Sequence, residues 1–272
     1  MTKTPPVIGA ALVVDTLERL RNWLFDRERD LELQDFFPPD MLDGDWTPLA
    51  ERYRRLLDGH KGRIGVHGPF WGWSLDTQDR EVAAVVAKRL GQGLDVCAAV
   101  GATQMVLHSP FTTWDAHNLD AWAGQREAMI ERVRRNIGAL VARAADQGVE
   151  LVIENIEDRD PAERLRLAEA LGPGVKLSID TGHAHYAHVA TGAPPVDYFV
   201  TSAGERLAHV HLQDADGWAD RHWPIGEGTI RWKAVFDAIA RLETRPRLVL
   251  ELMDHSRIVD SAARLEEMGV AL

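Results

Sequence analysis

The sequence predicts a single (β/α)8 barrel, an α/β fold, and two observations carry that prediction. Short runs with strand-like composition recur along the chain, and a segment with helical periodicity follows each of them. Eight such units in 272 residues match the size of a barrel of parallel strands. An open, doubly wound sheet is the alternative arrangement of the same units. No linker rich in Pro, Gly or Ser divides the chain, so we expect one domain over residues 1–272.

The predicted strands are, in chain order, 6–13, 30–36, 63–70, 103–110, 149–156, 175–182, 207–214 and 247–253. Amphipathic stretches lie between them, such as TPLAERYRRLLDG, REVAAVVAKRLGQGLDVCAAVG and AMIERVRRNIGALVARAADQG. The last two end in glycine, which is typical of a helix C-cap.

Composition excludes some classes of function. The formal net charge is −11, and an acidic chain is a poor binder of phosphate backbones, so we expect no nucleic-acid partner. The N-terminus has no signal-peptide pattern, and no apolar run approaches membrane-spanning length. The single cysteine, Cys97, lies in the apolar run LDVCAAVGA and is expected to be a buried thiol. These features predict a cytoplasmic protein that does not bind membranes.

Ionisable side chains stand at or near the ends of six consecutive predicted strands. In chain order they are His67, His108, Glu154, Asp180 (with His183 three residues later), His211 and Glu251. The carboxyl ends of parallel strands share one face of a barrel, where active sites are built. One histidine at a strand end is usually structural, but that explanation is weak for the whole set. Clustered carboxylates require a cation, and these ligand types suit divalent metals such as Zn and Mn in an open catalytic site.

The stretch DADGWADRHWPIGEG, residues 214–228, follows the seventh predicted strand and extends this set. In its Asp-x-His pattern, Asp220 and His222 can turn toward one metal or bridge two, provided that the loop folds over the barrel mouth. Pro224, Gly226 and Gly228 favour a tight turn that would hold such a loop. A solvated connection is the alternative interpretation.

The motifs VIEN, SIDTGHA, HVHLQD, DRHWPIGEGTIRW and LELM occur in this order. With them the chain resembles the xylose isomerase-like TIM-barrel superfamily, which includes sugar and sugar-phosphate isomerases and epimerases and apurinic-site nucleases of the endonuclease IV type. The resemblance covers essentially the whole chain. It implies the barrel fold and a metal-dependent reaction, and it is not specific to one activity. Barrels of this family often pair, so a homo-oligomer is possible.

The epimerase branch implies one divalent ion (Mn, Zn, Mg or Co) held by Glu154, Asp180, His211 and Glu251. In that branch the two glutamates are also the acid and base, and a histidine matching His183 contacts substrate oxygens. The expected reaction is sugar isomerisation or epimerisation by proton transfer through a metal-stabilised enediolate.

The nuclease branch implies up to three zinc ions. Its nine ligand positions carry over as His67, His108, Glu154, Asp180, His183, His211, Asp220, His222 and Glu251. A zinc phosphodiesterase is therefore the alternative function, and a lyase or dehydratase on the same scaffold is a further one. A barrel that only binds a sugar is disfavoured because no key ligand is missing.

The loops FFPPDMLDGDW and GPFWGWSLDTQD are acidic and tryptophan-rich where a nuclease needs basic, DNA-inserting loops. Such loops would repel a phosphate backbone, whereas indole faces suit sugar rings, so we expect a small sugar-like substrate. Loop packing is the alternative for the indoles of Trp71, Trp73, Trp114, Trp218 and Trp223. Arg221 either contacts substrate or pairs with loop acids. The candidate substrate-binding residues are His67, Trp71, Trp73, His108, Arg221 and Trp223.

Overall fold

Eight parallel strands close into a barrel in chain order in the computed structural model, which describes residues 4–272. The strands are β1 Gly9–Leu12, β2 Leu31–Leu33, β3 Ile64–His67, β4 Gln104–His108, β5 Glu150–Glu154, β6 Val175–Asp180, β7 Leu207–Leu212 and β8 Arg247–Leu250. The barrel closes where β1 pairs with β8, with Gly9 opposite Val249 and Ala10 opposite Leu250. This pairing confirms the predicted barrel and rules out the open sheet.

Helices connect and surround the strands. They are α1 Val14–Asp26, α2 Pro39–Asp43, α3 Thr47–Leu56, α4 Arg80–Val100, α5 Thr113–Asn118, α6 Gln125–Asp146, α7 Pro161–Leu171, α8 Thr181–Thr191, α9 Val196–Ala203, α10 Trp232–Arg241 and α11 Ile258–Glu267. Short 3-10 turns occupy Gly204–Arg206 and His255–Arg257. Within the described residues, no helix is both long and apolar enough to cross a membrane.

Every predicted strand is present but shorter than its apolar run. A barrel strand keeps its ladder of hydrogen bonds only while both neighbours run beside it, so the residues beyond the overlap enter the loops. The third predicted run reaches residue 70, for example, whereas β3 ends at His67. Phe70 instead turns across the carboxyl face and stacks on the His108 ring, with 4.0 Å between ring centroids.

Helix α4 illustrates how sequence signals fix the outer layer. The Asp79 side chain caps its first turn by accepting the backbone N–H groups of Glu81 and Val82. The helix ends at Gly101, whose φ of 73° is in the left-handed region that favours glycine at this position. Cys97 lies buried on its inner face, as predicted, and burial raises the pKa of the thiol to about 12.

The stretch 214–228 is held against the barrel by one buried carboxylate. Asp214 accepts hydrogen bonds from the Gly226 N–H (2.8 Å), the Ile230 N–H (3.3 Å) and the indole N–H of Trp232 (3.0 Å). Its backbone also forms an isolated antiparallel bridge with Trp223. These contacts fold the stretch back over the carboxyl ends of the strands, so it is not a solvated connection.

Replacement of this anchor should destabilise the fold. Asp214→Ala removes a buried carboxylate from four donors, the fourth being the Ala215 N–H at 3.0 Å, and we expect the free energy of unfolding to fall by about 3 kcal/mol or more. Urea denaturation measures this change. Asp237→Ala, which removes an exposed pair with Lys233 at 2.8 Å, is the control and should cost less than about 1 kcal/mol. Equal effects of the two variants would contradict the anchoring role.

Candidate metal centre

The structure brings all nine predicted metal ligands together at the carboxyl face of the barrel. In each of three groups, ligand atoms from all members lie within 4.8 Å of one another. The central group is Glu154, Asp180, His211 and Glu251; the first side group is His67, His108 and Glu154; the second side group is His183, Asp220 and His222. Glu154 belongs to two groups, which makes one continuous cluster of carboxylates and imidazoles.

The central group is built around the His211 ring. Its Nδ1 atom lies 2.8 Å from Glu154 Oε1 and 3.4 Å from Glu251 Oε2. Burial opposes protonation of His211, but Glu251, Glu32 and Glu154 outweigh burial and raise its pKa well above the ordinary value. Burial also raises the pKa of Asp180 to about 6. The group therefore sets three carboxylates around a single imidazole.

One oxygen of Glu154 has no hydrogen-bond donor among residues 4–272. This Oε2 atom is buried, 3.9 Å from His67 Nε2 and 3.8 Å from His108 Nε2. Burial lowers the pKa of His108 to about 3, so that ring is neutral and its lone pair is available. A buried carboxylate oxygen without a partner is costly, and a divalent cation shared with the two imidazoles would remove that cost. The residues present fit a metal ion.

Three histidines have the orientation typical of metal ligands. The Nδ1 atoms of His67, His183 and His222 lie 2.9, 2.9 and 3.0 Å from the backbone carbonyl oxygens of Gly68, Asn155 and Glu251. Because a carbonyl only accepts, each Nδ1 carries the proton, and Nε2 presents its lone pair to the cluster when the ring is neutral. Backbone contacts thus fix both the tautomer and the direction of each ligand.

The second side group combines a helix start with the anchored loop. Asp180 caps α8 by accepting the His183 N–H at 2.7 Å, which fixes His183 beside the cluster. From the loop, Asp220 lies 3.3 Å from His183 Nε2 and 3.0 Å from His222 Nε2. The Asp220 side chain is 51% exposed, so this group forms the open side of the site.

Two glutamines, which the sequence analysis did not single out, each lie between two carboxylates. The Gln213 amide donates to Asp180 Oδ1 (3.1 Å) and to Asp220 Oδ1 (2.9 Å), while its carbonyl accepts the His222 N–H at 2.7 Å. That last bond supports His222 at a φ of 48°, an unusual value for a residue with a Cβ. The Gln34 amide similarly donates to Glu32 (2.9 Å) and Glu251 (2.7 Å).

Buried Glu32 and His209 were missed as well, although the sequence contained a signal for both. Side chains alternate between the two faces of a strand, so every second residue of a barrel strand points inward. This period places Glu32 and Gln34 on one face of DLELQDF, and His209, His211 and Gln213 on one face of HVHLQD. Polar residues at alternate positions of otherwise apolar strands were the available indication.

The predicted substrate-binding side chains form a less compact set. Arg221 pairs with the loop acid Asp216 at 2.9 Å, and its guanidinium carbon lies 5.2 Å from the Trp223 ring centroid. Trp73 packs against the core beside His108, where both line a cavity of about 190 Å³. Trp71 is 51% exposed at the rim. Their roles toward a substrate stay predictions.

Zinc binding should strengthen as pH rises toward about pH 9. Burial opposes protonation of His222, but the Asp220 hydrogen bond and nearby carboxylates outweigh it and raise the pKa to about 9. A zinc ion at His222 must displace that proton, so acid competes with the metal. Calorimetric titration of the protein with zinc at pH 7, in buffers of different ionisation enthalpy, should show that zinc binding releases protons. His222→Gln should reduce the release, and equal release by both proteins would contradict the assignment.

Gly182→Ala should destabilise the protein although alanine is the better helix former. A Cβ at Gly182 would lie 2.3 Å from the Gln213 side chain, which must then leave its carboxylate partners. We expect a loss of about 1–3 kcal/mol in the free energy of unfolding. Gly138→Ala in α6, where a Cβ meets nothing within 4 Å, is the matched control and should stabilise by about 0.5–1 kcal/mol. A neutral Gly182→Ala would show that Gln213 is not tightly packed.

Solved structures share this architecture. The TTHB071 protein from Thermus thermophilus, soaked with ZnCl2, is 27% identical, with a TM-score of 0.71 and coverage of 96% of this chain and 97% of its own. A D-tagatose 3-epimerase-like protein is 18% identical, with a TM-score of 0.75 and coverage of 97% and 98%, and shows the same fold.

An uncharacterized protein of Methanocaldococcus jannaschii, MJ1311, is 20% identical over 196 residues. These residues are 69% of this chain and 63% of the relative, so the chain spans less than two thirds of that protein's length. The family described as xylose isomerase-like TIM barrel matches residues 29–268. The chain therefore belongs to the xylose isomerase-like TIM barrel family.

Proposed function

We propose that the chain is a divalent-metal-dependent isomerase or epimerase of a sugar or a related polyol. One observation carries the proposal: Glu154 and Glu251 both approach the same nitrogen of His211 and share a ligand group with Asp180. Two carboxylates at one cation site can hold and move a proton on either side of a bound carbon atom. The reaction needs that pair and no further nucleophile.

When bound, a divalent cation would polarise a carbonyl oxygen and its neighbouring hydroxyl and so acidify the adjacent C–H bond. The protein side of the reaction belongs to the two glutamates, whose surroundings differ. Glu154 is 1% exposed and contacts His211, whereas Glu251 is 14% exposed and accepts from the Gln34 amide. Different surroundings let one carboxylate remove the proton while the other returns it. His183, at the open side of the site, would contact substrate oxygens.

The surroundings of the site support a small, uncharged polyol over a polyanion. The open side carries Asp220, and Arg221 is already paired with Asp216. Proteins of similar fold include a D-tagatose 3-epimerase-like protein and the 3-keto-D-glucoside 4-epimerase of E. coli, which is 17% identical with a TM-score of 0.70. These likenesses support sugar chemistry at this face of the barrel.

Incubation with a panel of ketoses and aldoses in heavy water, with Mn²⁺ or Zn²⁺, should incorporate deuterium at one carbon of the accepted sugar. Glu154→Gln and Glu251→Gln should each lower the rate by about 100-fold or more, because each removes one proton-transfer group. Mass spectrometry and NMR follow the exchange. Glu169→Gln, on the exposed surface of α7, is the control and should keep the full rate.

Absence of metal-dependent exchange across the panel would contradict the proposal. Full exchange by both Gln variants would remove the assigned roles of the two glutamates, even if the protein were an isomerase.

Hydrolysis of a phosphodiester at two or three zinc ions is the second candidate, and the two side groups favour it. The single-ion reaction does not require His67, His108, Asp220 or His222 as ligands. The first two nevertheless share a possible ion position with Glu154, and the last two share another with His183. Elemental analysis separates the candidates: one ion per chain favours isomerisation, whereas three favour hydrolysis. Nicking of an oligonucleotide with an abasic site would then establish the hydrolase.

A further inference from the structure

His211 is oriented in the opposite sense to the other histidines of the cluster. His67, His183 and His222 donate Nδ1–H to backbone carbonyls and direct Nε2 inward. His211 instead directs Nδ1 at Glu154 and Glu251, and its Nε2 lies 3.0 Å from Glu32 Oε1. The atom that would bind the central ion is therefore Nδ1, and a side-chain carboxylate takes the place of the backbone carbonyl.

Glu32 is built into this position by contacts that cross the barrel interior. It lies on β2 and His211 on β7, and these strands are not neighbours in the barrel. Glu32 is 2% exposed, and its second oxygen lies 3.2 Å from Nε2 of His209. The Nδ1 atom of His209 is in turn 2.8 Å from the Ser178 hydroxyl. The carboxylate is thus fixed by groups that do not belong to the predicted ligand set.

A carboxylate in this place has a chemical consequence for His211. Because an ionised carboxylate only accepts, the Glu32 contact requires the proton on Nε2, so Nδ1, which otherwise donates to Glu154 at 2.8 Å, is the nitrogen that a metal would take. A negative partner also increases the basicity of the ring, which strengthens its bond to a cation. A neutral amide side chain, which can donate or accept, could satisfy the same ring in either tautomer and would provide neither effect.

We propose that Glu32 is the positioning residue of the metal centre: it holds His211 in the Nε2–H tautomer and thereby directs Nδ1 to the central ion. The proposal rests on the metal dependence of the proposed function and on no particular substrate. In this role Glu32 acts through His211 and is not itself a ligand of the central ion.

Glu32→Gln tests the proposal because it keeps the shape of the side chain and removes its charge. We expect the affinity for Zn²⁺ or Mn²⁺, measured by competition with a chelator, to fall about 10–100-fold. Glu150→Gln is the matched control, since it is the same substitution on β5 and Glu150 instead accepts from Gln104 at 2.8 Å, outside the ligand set. It should bind metal as the wild-type protein does.

A spectroscopic signature separates positioning from simple loss of stability. In the zinc-loaded wild-type protein labelled with [15N]histidine, His211 should carry the metal on Nδ1 and the proton on Nε2. In Glu32→Gln at the same zinc concentration, His211 should show a second set of signals without the metal on Nδ1, while those of His67, whose partner is a backbone carbonyl, stay unchanged.

Wild-type metal affinity and an unchanged His211 spectrum in Glu32→Gln would overturn the proposal. If that variant does not fold, Glu32→Asp withdraws the carboxylate by one methylene; it should also weaken metal binding, and wild-type affinity would overturn the proposal. These measurements need no turnover, so a protein whose metal affinity depends on Glu32 and that exchanges no sugar proton would refute only the proposed function. A wild-type chain that binds no divalent ion would refute both.

Discussion

Repulsion among carboxylates that meet at one end of the barrel is the interaction on which the rest of this structure depends. Five of them, Glu32, Glu154, Asp180, Asp220 and Glu251, lie in or beside the predicted ligand set, and the side chains of all but Asp220 are largely shielded from water. In a low-dielectric interior such charges destabilise one another unless donors or cations intervene. The imidazoles, the two glutamine amides and the capped helix at Asp180 all place donors between these groups. Glu154 Oε2 has no such donor within the described residues, so a cation is the group that would offset its charge.

The barrel fixes the positions of these side chains, which a flexible scaffold could not do. His67, His108, Glu154 and Asp180 are the last residues of their strands, so their backbone positions are fixed by hydrogen bonds to neighbouring strands. Of the remaining predicted ligands, His211 lies within β7, His183 in the first turn of α8 and Glu251 directly after β8. Asp220 and His222 come from the loop tied down at Asp214. Rigid placement matters because ligands must hold their geometry before an ion arrives.

Much of the fold and of the candidate metal centre could be predicted from the sequence. The fold follows from the alternation of strand and helix patterns, and the ligands follow from ionisable residues at strand ends, since parallel strands bring those ends together. Glu32 could not be found in this way, because its partners lie across the barrel on a strand that is not adjacent. Gln34 and Gln213 carry no charge, and their importance arises only from the carboxylates on both sides of them. The pairing of Arg221 with Asp216 is a choice of side-chain conformation that the sequence leaves open.

His222 combines two demands that usually conflict. Its backbone has a φ of 48°, a conformation that glycine adopts at little cost and a residue with a side chain does not. The loop has kept an imidazole there, supported by Gln213 below and by the Glu251 carbonyl beside it. Glycine would relax the backbone and remove a predicted ligand. A search for more stable variants would therefore select against the proposed metal centre at this position.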